Sequence, residues 1–310
     1  MTTWGLGRYG KLPSDLRSAG ARGLSDGPRL IRPTGETCRS PRHMNQIVTE
    51  LLNALDEYTA SCTVVIASTN AEVPHGSGVA VKYGGEHYIL TAAHVLRNEP
   101  DNEKIRVIGK PDGPLQLLRG KKELVDAIAN RSHVPVFSSA TPISITGRLS
   151  HDGDDIAAIK VQNPNTVLRL TNFHDLSGQG ETKISVDGGV TIFGFPGELA
   201  KHYEHTTTGR RGWAAFPHVT VQTIKEIADA PEVLNPGVDL ITDFDYPEEE
   251  CDPHGMSGCG AWSIPKPQKG EIWSASKSQL LGIQIGHYMP SKLLRFVRIE
   301  RVLGLFSGAP

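Results

Sequence analysis

Three residues of this chain carry side chains that can share one acyl-transfer task, and each sits in a pattern that would expose it. His94 closes the run Tyr88-Ile89-Leu90-Thr91-Ala92-Ala93-His94, where an apolar, strand-like stretch gives way to small residues. Small side chains let the backbone turn tightly there, so the imidazole can stand in a cleft instead of inside a core. An Asp-rich turn, His151-Asp152-Gly153-Asp154-Asp155, runs straight into the apolar Ile156-Ala157-Ala158-Ile159. A carboxylate at that junction can be half covered by the following strand and still reach an imidazole, fixing its tautomer and stabilising its cation. Ser257 lies in Gly255-Met256-Ser257-Gly258, where flanking glycines leave space for a substrate and permit unusual dihedrals. A hydroxyl, an imidazole and a carboxylate together supply a nucleophile, its general base and the group that orients the base.

The segment Thr91-Ala92-Ala93-His94 resembles the histidine motif of the chymotrypsin/trypsin-like serine peptidases, and Gly255-Met256-Ser257-Gly258 resembles their Gly-x-Ser-Gly nucleophile motif. In that family the Asp directly before Ile-Ala holds the imidazole, which points to Asp155, with Asp154 as the alternative. The chain order His, Asp, Ser is the chymotrypsin order; subtilisin-type enzymes put Asp first and α/β-hydrolases put Ser first. The resemblance runs roughly from Val64 to Gly286. It implies a serine endopeptidase acting on a protein or peptide substrate, with Ser257 attacking the carbonyl, His94 moving the proton and an acyl-enzyme intermediate. The N–H groups of Gly255 and Ser257 would form the oxyanion hole. Such a mechanism needs no metal and no organic cofactor, and neither is expected.

Departures from the family narrow the reading. Met256 stands where secreted digestive relatives keep the Asp of their zymogen switch, so that device is absent. The resemblance therefore leans to bacterial or intracellular trypsin-like peptidases. The substrate pocket would be built from the loop before Ser257 and the strand around 281–286, which makes Cys251, His254, Ile285, Gly286 and His287 pocket candidates. Cys251 occupies the place where a trypsin-type enzyme holds its pocket Asp, so a preference for basic side chains is not expected. Cys251 and Cys259 flank the nucleophile, and both a disulfide and a pair of free packed thiols stay open. Met256 and the long insert over 97–140 also leave room for a latent peptidase that an activating protein partner switches on. A catalytically dead binding scaffold is the remaining alternative.

The elements that must position these residues are short. Of 310 residues, 33 are Gly and 21 are Pro, a composition that favours strands and turns over long helices. The net charge of −2 gives no reason to expect nucleic acid as a partner, and no apolar run approaches the ~20 residues of a membrane span. The first ten residues lack a charged-then-apolar leader, so a cytoplasmic location is expected. Residues 1–43, rich in Arg, Gly, Pro and Ser, read as a disordered basic tail. Residues 44–58 place Ile47, Leu51, Leu52 and Leu55 on one helical face and read as a capping helix. Strand patterns follow at 62–67, 78–82, 87–91, 105–108, 143–149 and 155–161, and again at 183–186, 190–195, 219–227, 238–243, 260–264 and 279–285. The expected fold is all-β, with two six-stranded antiparallel β-barrels of the chymotrypsin-like kind. The first spans 59–170 and carries His94 and Asp155; the second spans 171–290 and carries Ser257. Apolar residues at helical spacing over 292–306 close the chain with a C-terminal helix over 291–310.

Overall fold

Strict alternation along the first-half strands determines what their sheet can pack against. In the computed structural model, which describes residues 41–68, 76–97, 105–108, 141–142, 145–162, 164, 172–179, 184, 188–197, 200–204, 211–215, 218–244, 253–266 and 272–307, eight strands form this sheet. They are β1 (Thr63–Ser68), β2 (Gly76–Tyr83), β3 (Glu86–Ala92), β4 (Ile105–Ile108), β5 (Thr141–Pro142), β6 (Ile145–His151), β7 (Ile156–Val161) and β8 (His174–Asp175). Their order is β5-β4-β1-β2-β3-β7-β6, all antiparallel, with β8 added parallel to β2. The tight β2–β3 hairpin turns on Gly84 and Gly85, both at positive φ, as a two-residue turn matched to strand twist requires. One face of the sheet packs Ile66, Ile89, Ile159, Val95 and Leu96 together. The other face presents Val79, Val81, Leu90, Ile156 and Ala158 to the second half of the chain. In the middle of the sheet, at β2, β3 and β7, both faces are thus buried among the described residues.

The second half closes on itself. Strands β9 (Gly189–Gly194), β12 (His218–Lys225), β13 (Asp239–Asp243), β14 (Gly260–Ser263), β15 (Leu280–Tyr288) and β16 (Leu293–Arg298) form a barrel in the order β12-β13-β16-β15-β14-β9, β9 pairing back to β12. Closure leaves no strand edge unpaired, which removes the hazard of an open sheet. A separate hairpin joins β10 (Ala200–Glu204) to β11 (Arg211–Ala215). Inside the barrel lie Val190, Ile192, Leu240, Ala261, Leu281, Leu294 and Phe296, together with Met256 and Cys259 from the segment before β14. Its outer wall, Trp262, Leu280, Ile283 and Val297, packs on the first sheet. The all-β architecture with a helix near either end is therefore the one expected; where two six-stranded barrels were expected, the second half closes as one and the first half forms an eight-stranded sheet among the described residues.

Element boundaries differ most from the sequence reading at the two helices, and β8, within the range 171–290 given to the second barrel, joins the first sheet instead. The first helix, α1, spans Pro41–Cys62 instead of 44–58, so its start takes in the last residues assigned to the tail; residues 1–40 lie outside the described residues. The strand read at 183–186 falls almost wholly outside them too. At the other end, 293–298 is not helix but β16, the strand lying between β13 and β15, and the barrel closes beyond 290. The cause is physical: Leu293, Leu294, Phe296 and Val297 are buried on both faces of the strand, and so short a cluster of apolar residues cannot be separated by periodicity from one turn of a buried helix. Pro290, in a 3-10 turn at Met289–Ser291, and Lys292 at φ +49 break any helix upstream. The C-terminal helix α2 is the shorter Ile299–Ser307, and it packs against β6, β15 and β16. Between the halves, Tyr58 of α1, His174 of β8 and Trp262 of β14 meet edge to face, with the Tyr58 hydroxyl 2.7 Å from His174 Nδ1. No described helix is long and apolar enough to cross a membrane.

Candidate active site

His94 sits in a 3-10 turn, Ala93–Leu96, that starts where β3 ends. The flanking Ala93, Val95 and Leu96 are buried and anchor the turn, while the His94 side chain stays 36% exposed. Across from it, Asp155 fills the single position between a 3-10 turn at Asp152–Asp154 and β7. Its φ of +55 lies in the left-handed region, which Asp tolerates better than most residues. That conformation costs about 1–3 kcal/mol unless the surroundings hold it. Here they do. The His94 Nδ1–H donates to Asp155 Oδ2 at 2.6 Å, the His94 backbone N–H donates to Oδ1 at 2.9 Å, and the Ala93 N–H donates to the Asp155 carbonyl at 2.8 Å. Arg97 stands 3.5 Å from Oδ1, but its side chain is 61% exposed and adds little. With Nδ1 engaged by Asp155, Nε2 is the ring nitrogen that this contact leaves over.

Asp154, the alternative carboxylate, takes another path. It pairs with Arg301 of α2 and lies 3.0 Å from His151 Nδ1. The structure thus brings Asp155, and not Asp154, to His94.

Ser257 belongs to a loop that the first sheet pins in place. The Ser77 N–H of β2 donates to the Ser257 carbonyl at 2.8 Å. The buried Ser77 hydroxyl donates to the Gly255 carbonyl at 3.1 Å and accepts from the Phe195 N–H at 3.0 Å. Thr91, three residues before His94, donates its hydroxyl to the Ser77 carbonyl at 2.8 Å. The neighbouring Gly76 lies where the Val95 side chain and the Ser257 carbonyl converge: a Cβ there would stand 2.7 Å from the one and 2.9 Å from the other. The His94 and Ser257 segments therefore flank the same stretch of β2. From the barrel side, Met256 turns its fully buried side chain into the core, which fixes the loop from below.

Two glycines give the loop its shape, Gly255 at φ +92 and Gly258 at φ +93. The N–H groups of Met256, Gly258 and Cys259 are taken up by the carbonyls of Pro253, Gln284 and Met256. By contrast, the N–H groups of Gly255 and Ser257 have no acceptor among the described residues. The two donors expected to hold an oxyanion are thus uncommitted. The Ser257 hydroxyl makes no hydrogen bond among the described residues, to His94 or to any other group. In ligand-free sites such bonds are often long and tighten only in the reacting complex.

Of the pocket candidates, His254 and His287 are brought together, their rings 4.8 Å apart and edge to face. Gly286 borders open space, with nothing within 4 Å of where a Cβ would stand. Ile285 points away from that space and packs against the cores between the halves. Cys251 lies outside the described residues. Cys259 is a free, buried thiol, and burial pushes its pKa above the usual thiol range, which makes it a packing residue and not a nucleophile. Among the described residues no cluster of three or more His, Cys, Asp or Glu could hold a metal ion.

Sequence reasoning gave no role in fixing the loop to Ser77, Thr91 or Gln284, which together do so. The available signal was the small-residue run Gly76-Ser77-Gly78, since side chains that small inside a strand mark a close approach by another backbone.

No family model matches the chain, and no curated protein matches it. Among solved structures it is similar to a mutant of human heparin binding protein (CAP37), with a TM-score of 0.49 and 10% sequence identity over 80% of this chain and 90% of that one.

Proposed function

We propose that the chain is a serine endopeptidase of the chymotrypsin-like kind, with Ser257 as nucleophile, His94 as general base and then general acid, and Asp155 as the group that orients it. The observation that carries this reading is the His94–Asp155 bond at 2.6 Å, set beside a loop whose Gly255 and Ser257 N–H groups are uncommitted. In the proposed reaction His94 Nε2 takes the Ser257 proton as the hydroxyl adds to a peptide carbonyl. The developing oxyanion accepts hydrogen bonds from Gly255 and Ser257, each such donor being worth about 100- to 1000-fold in turnover. His94 then protonates the leaving amine, and water releases the acyl group by the same steps in reverse.

A second reading has its own support. The Ser257 hydroxyl is not bonded to His94, which is what a latent enzyme awaiting an activating protein partner would present. Fluorophosphonate labelling of the wild type beside Ser257→Ala and His94→Ala, read by intact mass and peptide mapping, tests both. Labelling at Ser257 that both variants abolish supports the peptidase. A folded wild type that does not label refutes a self-sufficient enzyme and leaves the latent form or a binding scaffold.

A further inference from the structure

Two carboxylates adjoin at Asp154-Asp155, yet only one reaches His94, and a residue of the C-terminal helix accounts for the separation. Arg301 donates through Nε to Asp154 Oδ2, and its Nη2–H donates to His151 Nε2 at 3.1 Å. The imidazole of His151 must therefore be neutral, with its proton on Nδ1. That atom lies 3.0 Å from the same Asp154 oxygen, at an angle that makes the contact electrostatic rather than a hydrogen bond. The Asp154 side chain is only 12% exposed, so solvent screens its charge poorly and Arg301 is its counter-ion.

We propose that Arg301 is a positioning residue for the His94–Asp155 pair: by holding Asp154 against α2, it keeps the second carboxylate from competing for His94. The inference rests on the reading of His94 and Asp155 as the catalytic pair. Without Arg301, Asp154 loses its counter-ion and keeps only the His151 contact, one residue from Asp155. Its charge favours the imidazolium form of His94, so the base holds its proton more tightly. It is also free to turn the strained Asp155 peptide, and misplacement on the scale of an ångström can cost about 100-fold in rate. The charged groups that bear on this pair are Asp155 and Arg97 at His94 and Arg301 at Asp154, with the titratable His151 beside Asp154. Arg301 side-chain exposure of 34% leaves its replacement tolerable to the fold.

The test compares wild type, Arg301→Ala, Arg301→Lys, Asp154→Asn and the double variant Arg301→Ala/Asp154→Asn. Two quantities are read: the His94 imidazole titration by NMR, and the second-order rate of fluorophosphonate labelling. Arg301→Ala should move the His94 titration up and slow labelling about 10- to 100-fold. Arg301→Lys, which keeps the charge but not the fork that spans Asp154 and His151, should recover part of the loss. The double variant should return the His94 titration toward wild type, because the rival charge is gone; a helix that merely braces the turn would give no such rescue. An unchanged titration in Arg301→Ala, or a double variant no better than the single one, overturns the proposal. A wild type that does not label sinks the peptidase reading instead, while the imidazole titration still decides this one.

Discussion

Replacing Gly258 with Ala adds one methyl group next to the nucleophile, and the structure indicates what it would meet. A Cβ there would stand 2.0 Å from the Ser77 carbonyl oxygen and 2.3 Å from the Thr91 hydroxyl. Neither neighbour can yield cheaply. The Thr91 hydroxyl is bonded to that same carbonyl, and Ser77 is held by the Ser257 carbonyl through its N–H and by Gly255 and Phe195 through its hydroxyl. The residue would also sit at φ +93, where a side chain is strained even with ample space. Strain of that kind costs about 1–3 kcal/mol, and forcing an extra carbon into a packed interior adds a further amount of about the same size. The loop must then move, and with it the Gly255 and Ser257 N–H groups, the proposed oxyanion donors, a donor of that kind being worth about 100- to 1000-fold. Gly258→Ala is therefore expected to lower the unfolding free energy by several kcal/mol in urea and to reduce fluorophosphonate labelling at least about 100-fold. A variant that labels at the wild-type rate with an unshifted midpoint would show that the loop does not pack against β2 as described, and the case for the oxyanion donors would fall with it.

Two further outcomes follow from buried groups. Ser77→Ala strands the Gly255 carbonyl and the Phe195 N–H without their shared partner, so it should cost about 1–3 kcal/mol in equilibrium urea unfolding; a midpoint equal to wild type would mean that water replaces the hydroxyl freely. For His174, burial is the main cause holding its pKa below the usual histidine value, only partly offset by its bond to Gln179 and by Asp175. The neutral form is the one that folds, so its contribution is complete above the unfolded value of about 6.5 and is lost as pH falls from there toward the folded value. One proton bounds the slope at about 1.4 kcal/mol per pH unit. His174→Gln should flatten the stability profile below neutrality, and superimposable profiles would refute the assignment.

How much of this could be read from the sequence depends on whether the signal is local. His94 and Asp155 were legible because each lies where a small-residue or Asp-rich turn meets an apolar strand, and strand ends are local events. Choosing between Asp154 and Asp155 needed the family resemblance, since adjacent carboxylates differ only in the direction that the Asp155 backbone gives them. Leu293–Arg298 misled because Leu293, Leu294, Phe296 and Val297 also fit the apolar face of a helix that runs on to Leu305, and because, of its two flanking strands, β15 precedes it in a hairpin but β13 is supplied by distant chain. Ser77 stayed hidden for the same reason: its three partners in the loop and at Phe195 come from the other half of the chain. The Arg301 contact with Asp154 joins residues 147 positions apart, and no periodicity reports on such a pair.

Those sequence separations bear on biosynthesis. A chain emerging from a ribosome exposes β2, His94 and Asp155 well before the loop that carries Ser257, which lies 178 residues beyond Ser77 when measured at Gly255. Until the barrel forms and docks, the Ser77 hydroxyl has no partner for either of its bonds, and the loop has no template for its two left-handed glycines. On the proposed reading of Ser257, nascent chains should therefore pass through synthesis unreactive toward a serine-directed probe, with labelling arising only once the two halves meet.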